Sequence, residues 1–182
     1  MEILTPRLRL VAQNLALARA ELDEPSALPA LLGAEVPVDW PPPLNDRDSM
    51  TWSLRKLEEN PDAIGWLLWY MLRTIEGRPR AIGVAGFTGP PVDGRCEIGY
   101  SVMPDQQRRG YATEAVRALL QRAFASPGVD EVIAYTYPNL TPSIGVLTQC
   151  RFMFDGPGNE IGTVRYRVRR AAFAAQPDVA TS

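Results

Sequence analysis

The sequence predicts an α/β (α+β) fold in which helices flank a twisted, mixed, mostly antiparallel sheet. Three observations carry this. Residues 66–72, 81–87 and 96–101 are apolar or alternating, and short Gly- and Pro-rich turns separate them, as in an antiparallel meander. A basic loop, an amphipathic helix and the strand-like 132–136 follow, which is the order of a parallel crossover. Residues 164–168 alternate again and close the sheet. The 182 residues suit one domain with a sizeable core. That domain is placed at 1–170, with 171–182 as a flexible tail.

The remaining elements follow in chain order. Residues 4–11 alternate after Pro6 and read as a first strand. Asn14 caps a helix running to about Glu24, with Leu15, Ala18 and Leu22 on one face. Residues 25–45 are proline-rich and without period, and 40–44 (Trp-Pro-Pro-Pro-Leu) should be rigid and extended. Trp40 there is either a wall of an acceptor pocket or a plug over the core. Asp46 or Asp48 starts a helix through Asn60, stopped by Pro61. The glycines of 81–87 are expected where a neighbouring backbone comes close. In the central helix, Ala115, Val116, Leu119, Leu120, Ala123 and Phe124 form the stripe that packs on the sheet. Thr141 at the N-cap and Pro142 behind it open a last helix.

The chain is organised around residues 102–115. Pro104 ends the strand before them, because it cannot donate to a ladder. Gly110 permits a positive φ or a close backbone approach, and Thr113 or a neighbour can cap the helix. A strand, a tight basic loop and a helix with free N–H groups make an anion site, above all for phosphate. The loop has neither the GxxxxGK[ST] nor the GxGxxG pattern.

Gln107-x-x-Gly110-x-Ala112, preceded by Val102-x-Pro104, resembles the acyl-CoA signature of the GNAT N-acetyltransferases. Thr5-x-Arg7-Leu8-x-Leu10 is similar to the opening strand of the RimJ/RimL-like branch, and 139–152 resembles the second motif of the family. Three departures stand out there: Leu140 replaces the asparagine, with Asn139 one residue early; Arg151 replaces the glycine; and Leu147 replaces the tyrosine that many members use as an acid. The resemblance implies a sheet splayed beside the Glu97 strand. It also implies acetyl-CoA as co-substrate, held by Val102, Gln107, Arg108, Arg109, Gly110, Tyr111, Ala112 and Thr113, and direct transfer to an amine in a ternary complex. Glu97 is then the candidate base and Ser143 the candidate donor to the leaving thiolate, with Glu160 a second base candidate and Glu114 placed as helix-start electrostatics. Trp40 and Tyr135 are candidate acceptor contacts. The resemblance implies a small-molecule amine or a protein N-terminal amine as acceptor. The alternative is an acyl-CoA-binding regulatory or partner-binding module without turnover.

Composition narrows the rest. A net charge of −2 argues against a nucleic-acid surface. No run is long enough to span a bilayer, and the N-terminus lacks a signal-peptide pattern. Two cysteines without metal spacing are expected to be reduced, as in a cytoplasm, and to act as apolar fillers; no metal is expected. The absence of histidine excludes a His triad, an HExxH site and a His base. Oligomeric state is open, a homodimer included.

Overall fold

A computed structural model describes residues 1–174. The expected first strand is in fact a hairpin of β1 (Glu2–Leu4) and β2 (Arg9–Ala12). Pro6 lies in the turn, where Thr5 and Leu8 bond across it; a ladder cannot use its missing N–H. α1 (Leu15–Asp23) is capped by the Asn14 side chain, as expected. It buries Leu17, Ala18, Ala20 and Glu21, so the face differs from the Leu15–Ala18–Leu22 stripe. Within the segment expected to be irregular lies a short helix, α2 (Leu28–Leu32), and 40–44 is turned rather than extended. α3 (Arg47–Glu59) is capped by Asp46.

The meander holds as β3 (Leu68–Ile75), β4 (Arg78–Phe87) and β5 (Arg95–Val102). A Cβ on Gly83 would run into the Ser101 carbonyl, which is the close backbone approach that position was expected to serve. α4 (Tyr111–Ala125) has Gly110 at its N-cap, with no side-chain cap from Thr113 or a neighbour. β6 (Glu131–Thr136) follows, parallel to β5. α5 (Thr141–Gln149) has Leu140, not Thr141, at its N-cap. β7 (Met153–Pro157) is an edge strand beyond those the alternation predicts. β8 (Val164–Arg169) closes between β6 and β7. Residues 170–174 form α6 (Arg170–Ala174), so the expected tail starts with helix; 175–182 lie outside the described residues.

The eight strands form one sheet in the order β1-β2-β3-β4-β5-β6-β8-β7. On one face α4 buries Ala115, Val116, Leu119, Leu120 and Ala123 against Leu10, Met71, Ile82, Ile98 and Val132. On the other, Leu17 of α1 and Leu28 and Leu32 of α2 cover Tyr70, Leu72, Ala81 and Val84. Strand β5 changes partners along its length. Arg95, Cys96 and Glu97 pair with β6, whereas Ile98 to Val102 pair only with β4. Past Glu97 and Ile133 the two parallel strands diverge, and facing backbone edges open between them.

Candidate active site

The end of β5 leads straight into the basic loop. The Gln107 amide donates to the Val102 carbonyl at 2.9 Å and ties the loop to the strand end. Arg108 and Gly110 both adopt left-handed backbone, with φ of 62° and 80°. An arginine there is strained, and two such residues so close turn successive N–H groups to one side. The first intrahelical bond of α4 runs from Glu114 N–H to the Gly110 carbonyl, and no side chain caps this end. The N–H groups of Tyr111, Ala112 and Thr113 thus have no intrahelical acceptor. Arg108 and Arg109 are exposed beside them. The Tyr111 ring is buried, with the guanidinium groups of Arg7 and Arg73 over it at 4.8 and 5.2 Å, so what it offers a ligand is its N–H. Thr113 is buried, and its hydroxyl lies 3.4 Å from the side-chain amide oxygen Oε1 of Gln149, to which it donates.

A clamp from the N-terminal hairpin holds this loop. Thr5 donates to Glu114 at 2.6 Å, and the backbone and guanidinium N–H of Arg7 donate to its two carboxylate oxygens at 2.8 and 2.6 Å. Arg7 also donates to the Arg109 carbonyl at 2.9 Å. Burial works to raise the Glu114 carboxyl, but these bonds together outweigh it and hold it below its ordinary value. Thr5-x-Arg7 is therefore the distant partner of the first turn of α4. Beside it lies a concavity of about 520 Å³ between the β1–β2 turn and the end of β3.

The divergence supplies the second half of the site. By strand alternation and the Glu97–Ile133 register, Glu97 and Tyr135 face the same side of the sheet, and Tyr100 and Thr136 the other. Glu97 is half-buried; burial pushes its carboxyl up, and the neighbouring Glu160 pushes it further the same way. On the α4 side, the Tyr100 hydroxyl lies 3.0 Å from the Ser143 carbonyl and 3.1 Å from Ser143 Oγ, bridging β5 to the first turn of α5. The Thr136 hydroxyl is buried and makes no hydrogen bond among the described residues. Such an orphan suits a bound ligand with polar atoms.

Glu97 and the 107–113 loop thus flank the divergence of β5 and β6, with Tyr135 on the facing strand turned to the Glu97 side and Ser143 on the opposite, α4 side. Trp40 lies on the Glu97 side of the sheet but two strands away, over β3: its ring packs on Tyr70 at 6.2 Å, and its indole N–H donates to Glu21 at 2.8 Å. Glu21 also accepts from Tyr70 and from Gln13. Sequence reasoning missed Tyr100, which alternation reads as core beside Cys96 and Ile98, and missed Thr136 and Glu21, whose surroundings only the fold assembles. Cys96 and Cys150 are free and buried, and burial pushes both thiols up to about 11.

The family model of the Acetyltransferase (GNAT) domain matches residues 15–153. The chain belongs to this GNAT acetyltransferase family. An uncharacterized N-acetyltransferase p20 of Bacillus licheniformis is 36% identical over 83 residues, 45% of this chain and 47% of that protein, so the match spans about half of the relative. Among solved structures, a GNAT acetyltransferase from Bacillus anthracis aligns with a TM-score of 0.62 and 19% identity, over 94% of this chain and 99% of that one. RimL, a ribosomal L7/L12 alpha-N-protein acetyltransferase in complex with coenzyme A, aligns with a TM-score of 0.63 and 17% identity, over 94% and 99%. The microcin C7 self-immunity acetyltransferase MccE, in complex with acetyl-CoA and AMP, gives 0.62 and 16%, over 91% and 93%. At these identities the likeness is one of fold. Among the described residues, this GNAT chain has no helix long and apolar enough to cross a membrane and no cluster of His, Cys, Asp or Glu that could hold a metal.

Proposed function

We propose that the protein is an acetyl-CoA-dependent N-acetyltransferase that passes the acetyl group directly to an amine in a ternary complex. One observation carries this reading: β5 and β6 part beyond Glu97 and Ile133, immediately beside the uncapped N-terminus of α4. The free N–H groups from Arg108 to Thr113, with Val102 and Gln107 shaping the turn, suit a pyrophosphate. The unpaired edges of β5 and β6 and the orphaned Thr136 hydroxyl suit an extended chain bearing amides. Acetyl-CoA supplies an activated thioester when bound. Glu97 accepts the amine proton, directly or through water, because an alkyl ammonium with a pKa near ~10 is not a nucleophile. Its raised pKa makes it a better base than an exposed carboxylate. Ser143 faces the leaving thiolate. With both cysteines protonated at neutral pH, neither is suited to carry the acetyl group. Tyr135 and Trp40 would border the acceptor, a small-molecule or protein N-terminal amine. The domain is proposed as residues 1–170 and its place of action as the cytoplasm.

The test is acetyl-CoA with a panel of amines, reading released thiol. Release that depends on one amine class supports transfer. Acetyl-CoA binding without release from any amine favours the binding module instead.

A further inference from the structure

Resting on that reading, we propose that Tyr100 is a positioning residue that turns the Ser143 hydroxyl toward the thiol end of the opening, so that the two hydroxyls together stabilise a bound thiolate. Tyr100 is the side chain that crosses from β5 to α5 where the parallel strands have separated, and its hydroxyl meets both oxygens of Ser143 at 3.0 and 3.1 Å. A phenol has one proton and can accept as well as donate. With its proton on the Ser143 carbonyl, it fixes the first turn of α5; with its proton on Oγ, it leaves the serine proton free to point away from the phenol. The second arrangement is a chain of two donors ending at the opening, and such chains strengthen each link. Tyr100 keeps its proton throughout the working range, because burial pushes the phenol up to about 12, against the opposing hydrogen bond to Ser143. It therefore gives a hydrogen bond and not a proton. The partly accessible Ser143 side chain is the terminal donor.

The readout needs no acceptor. Coenzyme A is bound to the protein, and the ultraviolet absorbance of its thiolate is titrated. The cysteines of the chain lie at about 11 and do not interfere near the coenzyme A thiol, whose pKa is near ~8.5 by analogy to cysteine. The bound thiol is expected about one unit lower in wild type than in Tyr100→Phe or Ser143→Ala, with no further change in the double variant. Tyr100→Phe should also lower kcat about tenfold at unchanged acetyl-CoA KM. Tyr100→Phe keeps the ring in the core, and Ser143→Thr, which keeps a hydroxyl, should keep the lowered thiol pKa only when Tyr100 is present. Equal thiol pKa values in all variants, or additive shifts in the double variant, overturn the proposal while leaving the acetyltransferase reading intact. Failure of coenzyme A to bind the wild-type chain overturns that reading, and this proposal with it.

Discussion

At the residue scale, Gly110 and Glu97 carry the sharpest consequences. Gly110 has a φ of 80°, which a branched side chain does not tolerate, and a Cβ there would sit 3.3 Å from the Arg7 guanidinium that clamps the loop. Gly110→Val should cost at least about 1 kcal/mol of local strain and abolish coenzyme A binding in calorimetry. Unchanged affinity in the folded variant would remove the loop from the site. Glu97 must be ionised to accept a proton, so kcat/KM should rise with pH through its carboxyl pKa. That limb lies above the ordinary carboxylate range, because burial and then Glu160 oppose the charge. Glu160→Gln should move the limb to lower pH, and Glu97→Gln should abolish it with coenzyme A still bound. An unchanged profile in both variants would take Glu97 out of catalysis.

At the element scale, the β1–β2 hairpin and α4 are locked through one carboxylate. Glu114 is mostly buried and accepts from Thr5 and Arg7. Because its pKa is depressed on folding, this contribution is present above the ordinary carboxylate pKa and is lost as pH falls through the folded value. Glu114→Ala should cost about 1–3 kcal/mol of stability near neutral pH, less in acid, and should weaken coenzyme A binding by loosening the Arg109 carbonyl clamp. A thermal melt at two pH values, with calorimetry, checks both. On the other face, Glu21 joins α1 to β3 and to the Trp40 turn. If Trp40 borders the acceptor, Trp40→Ala should raise acceptor KM and leave acetyl-CoA KM alone. Equal effects on both would make it a plug over the second core.

At the scale of the whole molecule, one sheet runs unbroken from β1 to β7 and hinges at β5. The single domain proposed above should melt in one transition with matching calorimetric and van't Hoff enthalpies. Acetyl-CoA at about 100 times its Kd should add about 2.7 kcal/mol of stability and raise Tm, and Gly110→Val should abolish that rise. Two separated transitions would divide the chain.

Local chemistry made much of this legible in the sequence. Strand alternation, the Asn14 and Asp46 caps, the α4 stripe and the 102–115 loop each depend on neighbours within a few residues. So does the α/β class, because short turns permit only antiparallel pairing and a helical crossover leads to a parallel strand. What only the tertiary structure decided rests on contacts between residues far apart in the chain. Pro6 divides one alternating run into two strands, and β7 forms because β8 offers it an edge. Thr5 and Arg7 meet Glu114 more than a hundred residues away. Tyr100 has the spacing of a core residue, and nothing in its neighbours reveals that its hydroxyl crosses to Ser143. Periodicity reports which face a side chain occupies; which atom waits on that face is fixed by how the strands pair and where they part.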